Sequence, residues 1–252
     1  MLEMGMLVVA AFLAGMVDAI AGGGGLVQLP ALLAVHPEAP VATLFGTNKG
    51  ASVWGTAMAA SQYVRRVALS RALLCGAVPA ALATAWLGAR SVALLPTQFV
   101  RPAVLAGLVL VAAYTFLRPA LGSKTGPRLA PRRELGLGAA LGAGIGFYDG
   151  IFGPGTGTFL VFALVRGFGH DFLAASAHAK LINLATNLGA LGFFIPRGYL
   201  WWEVALGMAL ANVAGAFAGS RFALHGGAPL VRRVFLGVVC MLIVKLVLDL
   251  LP

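Results

Sequence analysis

Charge is what this chain has least of. Only 10% of its 252 residues are Asp, Glu, Lys or Arg, where a soluble domain carries about a quarter, and that shortage argues against an ordinary water-soluble globule. Cysteine is nearly missing too: Cys75 and Cys240 both stand inside apolar runs, a place for small buried side chains and not for a disulfide framework or a metal site. No Gly-x-x-x-x-Gly-Lys-Ser/Thr loop occurs, so ATP-driven work would need another subunit. The first residues lack a basic n-region, so Ala19-Ile20-Ala21 is not read as a cleavage site.

What is present is hydrophobic, 60% of the residues. Apolar runs of about 17–20 residues recur, each near the ~20 that cross ~30 Å of hydrocarbon. Spanning segments must satisfy their own backbone polar groups, as helices do. The expectation is an all-α polytopic membrane protein in contact with a lipid bilayer. The net charge of +10 comes from basic residues scattered over short loops. That pattern argues against nucleic acid and for orientation in a membrane.

The sequence is also written twice. Asp18 and Asp149, Gly22 and Gly153, Lys49 and Lys180, Gly88 and Gly219, and Arg101 and Arg232 all lie 131 positions apart. The chain therefore divides into a first repeat (1–121), a cytoplasmic linker (122–133) and a second repeat (134–252). Each repeat reads as five helical segments: Met4–Ala21, Leu26–Val35, Thr43–Ala60, Arg71–Arg90 and Arg101–Leu117, then Leu135–Phe152, Gly157–Val165, Ala174–Ile195, Leu200–Arg221 and Arg232–Leu250. The second segment of each is too short to span at 1.5 Å per residue. It reads as a broken or re-entrant half-helix beside a glycine-rich break. Loop charges distinguish two topologies. With the linker inside and the repeats inverted, twelve loop Lys and Arg fall inside against three outside; parallel repeats give nine against six. The positive-inside rule selects inverted repeats, and duplicated secondary transporters place their site where such repeats meet.

Each repeat sets one carboxylate, Asp18 or Asp149, one turn before its break. A buried charge at that depth costs roughly 2.5–3.5 kcal/mol on insertion scales unless it is paired or wet. Lys49 and Lys180 supply the opposite charge. Two readings stand: a structural ion pair, or a proton acceptor beside an anion ligand. Lys49, Ser52 and Thr56 share a helix face at i, i+3 and i+7, and Lys180, Asn183 and Asn187 repeat that spacing. Asn48 and His178 flank the two stripes. The break residues Gly23, Gly24, Gly25, Gly155 and Thr156 would turn half-helix N-termini toward a cavity, where an anion is the natural occupant. Tight helix packing is the alternative use of such glycines. No cofactor or metal is expected.

Four motifs together resemble the TauE/SafE sulfite-exporter family, in its bacterial YfcA-like branch: Asp18-Ala19-Ile20-Ala21-Gly22-Gly23-Gly24-Gly25-Leu26, Thr47-Asn48-Lys49, Gly146-Phe147-Tyr148-Asp149-Gly150-Ile151-Phe152-Gly153-Pro154-Gly155, and Ala177-His178-Ala179-Lys180-Leu181-Ile182-Asn183. The resemblance implies a multi-pass inner-membrane carrier, not an enzyme, for a small sulfur anion such as sulfite, a sulfonate or sulfoacetate. Two alternatives remain at this stage. A passive anion channel would use the same glycines and lysines. An intramembrane aspartyl protease is echoed by Tyr148-Asp149 and Pro30-Ala31-Leu32, but its Gly-x-Gly-Asp motif is missing.

Overall fold

The computed structural model describes residues 2–92 and 129–248. These form α1 (Leu2–Ala21), α2 (Gly25–Val35), α3 (Val41–Val64), α4 (Arg71–Arg90), α5 (Pro131–Ile151), α6 (Thr156–Phe168), α7 (Phe172–Phe194), a 3-10 turn (Ile195–Arg197) and α8 (Trp202–Leu248). The fold is all-α and polytopic. The segment expected at Arg101–Leu117 and most of the linker lie outside the described residues.

Local chemistry sets the helix starts. Ser70 caps α4 by accepting the Leu73 N–H, and Asp171 caps α7 by accepting the Ala174 N–H. Pro131 stands at the first position of α5, where its missing N–H is no loss. The last three residues assigned to the linker, Pro131 to Arg133, are therefore helical. The range of α8 holds both segments expected at Leu200–Arg221 and Arg232–Leu250, as two helices that meet at a kink. The run is interrupted only at Gly227, with φ 63° and ψ −167°. Glycine permits that left-handed step, and Pro229 suits the first turn of the arm that follows.

The bundle is apolar outside and polar within. Met6, Val9, Trp54, Leu188 and Leu210 are exposed, while Gln28, Lys49, Asp149, Lys180 and Asn187 are buried. In water the first set would be a liability; against lipid tails it is the solvated surface. Three stretches, Glu3–Ala21, Arg71–Arg90 and Trp202–Val238, are long and apolar enough by themselves to cross a bilayer. The others of similar length, α3, α5 and α7, turn polar residues inward.

Glycine contacts give the relative sense of the helices. Gly207 faces Met4, Gly215 faces the Phe12 carbonyl and Gly219 the Met16 carbonyl, so α1 and α8 run parallel. Gly76 against Leu135, Gly142 against Ala77 and Gly150 against Ala85 make α4 and α5 parallel as well. Along α3, Gly50 meets Ala205 and Gly55 meets Asn212, so α3 also follows α8. Along α7, Gly189 meets Leu82 and Gly192 meets Trp86, so α7 follows α4. Between α3 and α7 the order reverses, Gly46 touching Phe194 while Lys49 reaches Asn187.

Two of the close contacts are the same contact made twice. Gly219 on the Met16 carbonyl matches Gly88 on the Phe147 carbonyl, and Gly15 on the Asn212 carbonyl matches Gly146 on the Ala81 carbonyl. Each member of one pair is displaced by 131 positions in the other. An added Cβ would sit 2.2–2.5 Å from these carbonyl oxygens, a separation no real side chain tolerates. Small residues let the backbones approach this closely, which is how helices associate in lipid.

Candidate functional site

Both breaks are built by residues that need a left-handed backbone. Gly22 and Gly23 have φ of 79° and 96°, and Gly153 and Gly155 have 85° and 84°, a region glycine enters without strain. The one-position difference has a simple cause. Pro154 stands where the first copy has Gly23, and proline holds φ near −65°. The left-handed residues of the second break must therefore flank the proline.

The two breaks touch. A Cβ at Gly22 would lie 2.2 Å from the Gly157 carbonyl carbon, and one at Gly157 would lie 2.6 Å from the Gly22 Cα. The carbonyls freed at the end of α1 find partners across the bundle. Tyr63 donates its hydroxyl to the Ala19 carbonyl at 2.8 Å, and Ser176 donates to the Ile20 carbonyl at 3.0 Å. The N–H groups of Gly23, Gly24, Gly25 and Gly155 have no backbone acceptor among the described residues, so the starts of α2 and α6 leave donors open.

The charged residues pair across the repeats. Lys49 Nζ donates to Asp149 Oδ2 at 2.7 Å, and Lys180 Nζ donates to Asp18 Oδ2 at 2.8 Å. Asp149 is held further by the Thr156 hydroxyl, which donates to Oδ1 at 2.7 Å. Lys49 also reaches Asn187 Oδ1 at 3.4 Å.

Between the breaks lies a cavity of about 30 Å³, room for one or two waters or a very small ion. Its wall holds Gly23, Gly24, Gly25, Gly155 and Thr156 from the breaks, Asn48, Lys49 and Ser52 from α3, and Asn183 and Asn187 from α7. Asp18 and Asp149 line it as well. Two expected residues do not. Lys180 is fully covered and reaches the cavity only through Asp18. His178 sits elsewhere: its Nε2 accepts the Ser70 N–H at 2.8 Å, its Nδ1 lies 2.7 Å from the Ala174 carbonyl, and its ring stacks on His170. Accepting at Nε2 places the proton on Nδ1, so the side chain ties α7 to the start of α4.

Other wall residues were not among those expected: Asn212 of α8, and Gly153 and Gly157 of the second break. Behind the wall, Gln28 of α2 is fully buried. It donates to the Asn48 carbonyl at 3.1 Å and to Ser52 Oγ at 3.3 Å, and accepts from Asn212 Nδ2 at 2.9 Å. Neither Gln28 nor Asn212 has a polar counterpart in the other repeat, where Phe159 and Ala81 stand. A lone polar residue in an otherwise apolar half-helix was the available signal for Gln28.

Comparisons with known proteins identify the family. A family model described as sulfite exporter TauE/SafE matches residues 7–246. The chain is 37% identical to a probable membrane transporter protein, ORF9, of Sinorhizobium sp, across 96% of this chain and 92% of that one. It is 37% identical to the probable membrane transporter protein YfcA of Escherichia coli K12, across 98% and 91%. A probable membrane transporter protein of Haemophilus influenzae is 32% identical, across 94% and 92%. No solved structure matches the chain significantly. With a family match along nearly its whole length, the chain belongs to the TauE/SafE sulfite exporter family and is a membrane transporter of that type.

Proposed function

We propose that the chain is a secondary carrier in the inner membrane that binds one small sulfur-containing anion, such as sulfite or a short sulfonate, near mid-membrane. The observation that carries this reading is the meeting of the two breaks over a cavity that holds one ammonium group, Lys49, and open N–H groups. Helix N-termini favour anions, and irregular backbone at membrane depth is tolerated where it lines a cavity. The cavity must widen to seat even a compact oxyanion, and would have to widen much further for a bulky one. Asn187 gives up its acceptor to Lys49, which leaves its amide N–H₂ as a donor for the anion.

The two repeats are inverted in this reading. The opposite senses of α1 and α5 and the contacts that recur with the halves exchanged support it, as does the loop charge. Alternating access would open this cavity to each side in turn. Asp18 carries the coupling proton: its Oδ2 is paired with Lys180, and its Oδ1 has no donor among the described residues, unlike that of Asp149.

Counterflow in proteoliposomes tests this. Protein loaded with unlabelled sulfite is expected to accumulate labelled sulfite transiently, as a carrier must. Equilibration without overshoot would identify a channel, and no uptake of sulfite, thiosulfate or short sulfonates would remove the substrate class.

A further inference from the structure

Gln28 does not line the cavity, yet its hydrogen bonds decide the direction in which a wall residue can donate. The chain of bonds is anchored at both ends by backbone carbonyls, which only accept. At one end Asn212 Nδ2 donates to the Ala11 carbonyl at 3.1 Å, so the amide nitrogen of Asn212 faces α1 and α2. Its second N–H goes to Gln28 Oε1. The other end of the Gln28 amide must then be nitrogen, and it faces the Asn48 carbonyl and Ser52 Oγ.

Two consequences meet at Ser52. A serine inside a helix ordinarily turns its hydroxyl proton back to the carbonyl four residues earlier, here that of Asn48. That carbonyl already takes the Gln28 amide in addition to its helical N–H. A lone pair of Ser52 Oγ is taken by the same amide. The hydroxyl proton is left to point away from Gln28, and Ser52 lines the cavity. Gly55 makes the arrangement feasible: a Cβ there would lie 1.9 Å from Asn212 Oδ1.

We propose that Gln28, held by Asn212, is a positioning residue that turns the Ser52 hydroxyl proton into the cavity and makes Ser52 an anion donor. This rests on the carrier reading above. The relay belongs to the first repeat alone, because Phe159 replaces Gln28 at the equivalent position. It adds a directed O–H to the side of the cavity that already holds Lys49.

The test is a double-mutant cycle on sulfite uptake by the full-length protein in proteoliposomes. Ser52→Ala and Gln28→Leu are each expected to raise the sulfite concentration for half-maximal uptake roughly tenfold, the effect of losing one hydrogen bond to a charged group. The maximal rate should change little. The double variant should be no worse than either single one, since both remove the same bond. Ser52→Thr, which keeps the hydroxyl, should retain the affinity of the natural protein. Unchanged half-saturation in Ser52→Ala overturns the relay, as do additive losses in the double variant. No sulfite uptake by the unsubstituted protein counts instead against the carrier reading, and so the two failures are told apart.

Discussion

The two ion pairs repeat one another in sequence and differ in their surroundings. In Lys49–Asp149 both side chains are nearly covered, 6% and 3% exposed, and both reach the cavity. In Lys180–Asp18 the lysine is sealed at 0% while the aspartate is 17% exposed. Asp149 has a second donor in Thr156; at the matching place beside Asp18 stands Gly25, which has no hydroxyl. Positions equivalent by the repeat thus differ in access: Lys49, Asp149 and Asp18 line the cavity, and Lys180 alone is sealed behind its partner. Buried ion pairs are often retained for structure alone.

Exchanging the lysines for methionine breaks that comparison most directly. Lys49→Met is expected to abolish sulfite uptake, and pairing it with Asp149→Asn should recover folded protein but not transport. Lys180→Met should act chiefly on stability, by about 3–5 kcal/mol for a stranded buried charge, and Asp18→Asn in the same chain should restore the unfolding temperature. Equal recovery of uptake in both double variants would erase the distinction.

The breaks come next. Gly157→Ala drives a Cβ into the Gly22 backbone and should lower stability in detergent by about 2–4 kcal/mol, since neither backbone can yield. Gly144→Ala, in a helix with open space around it, should instead add about 0.5–1 kcal/mol. Thermal unfolding of the two variants side by side measures both.

The finest comparison is between the carboxylates. Asp18→Asn is expected to flatten the pH dependence of uptake, whereas Asp149→Asn should keep its shape and lower its height. Matching pH profiles in the two variants would remove Asp18 from the coupling.

Much of this was legible in the residues. The breaks announce themselves because consecutive glycines at the end of an apolar run have few other uses. The need of Asp18 and Asp149 for cationic partners follows from the cost of burying charge. The repeat pointed to one wall twice, through Ser52 with Asn183 and Thr56 with Asn187, and these four residues line one cavity. Repetition was also the blind spot. Gln28 and Asn212 depart from it, and their importance lies in long-range hydrogen bonds that no local pattern encodes. His178 misled because it sits two residues from Lys180; on a helix that spacing turns side chains to different faces. The two arms of α8 were legible as separate helices, because Gly226, Gly227 and Pro229 mark the junction at which Gly227 leaves helical geometry.

The glycine seams carry one more consequence, for the moving parts. Each seam joins a helix of one repeat to a helix of the other, α1 to α8 and α4 to α5, at distances that leave no slack. Sliding one sequence half past the other would tear both. Rigid bodies that keep the seams intact are hybrids, one assembled from α1, α3 and α8, the other from α4, α5 and α7. A pivot between such hybrids would run through the Gly22–Gly157 crossing, where two bare backbones meet with no side chain to wedge them.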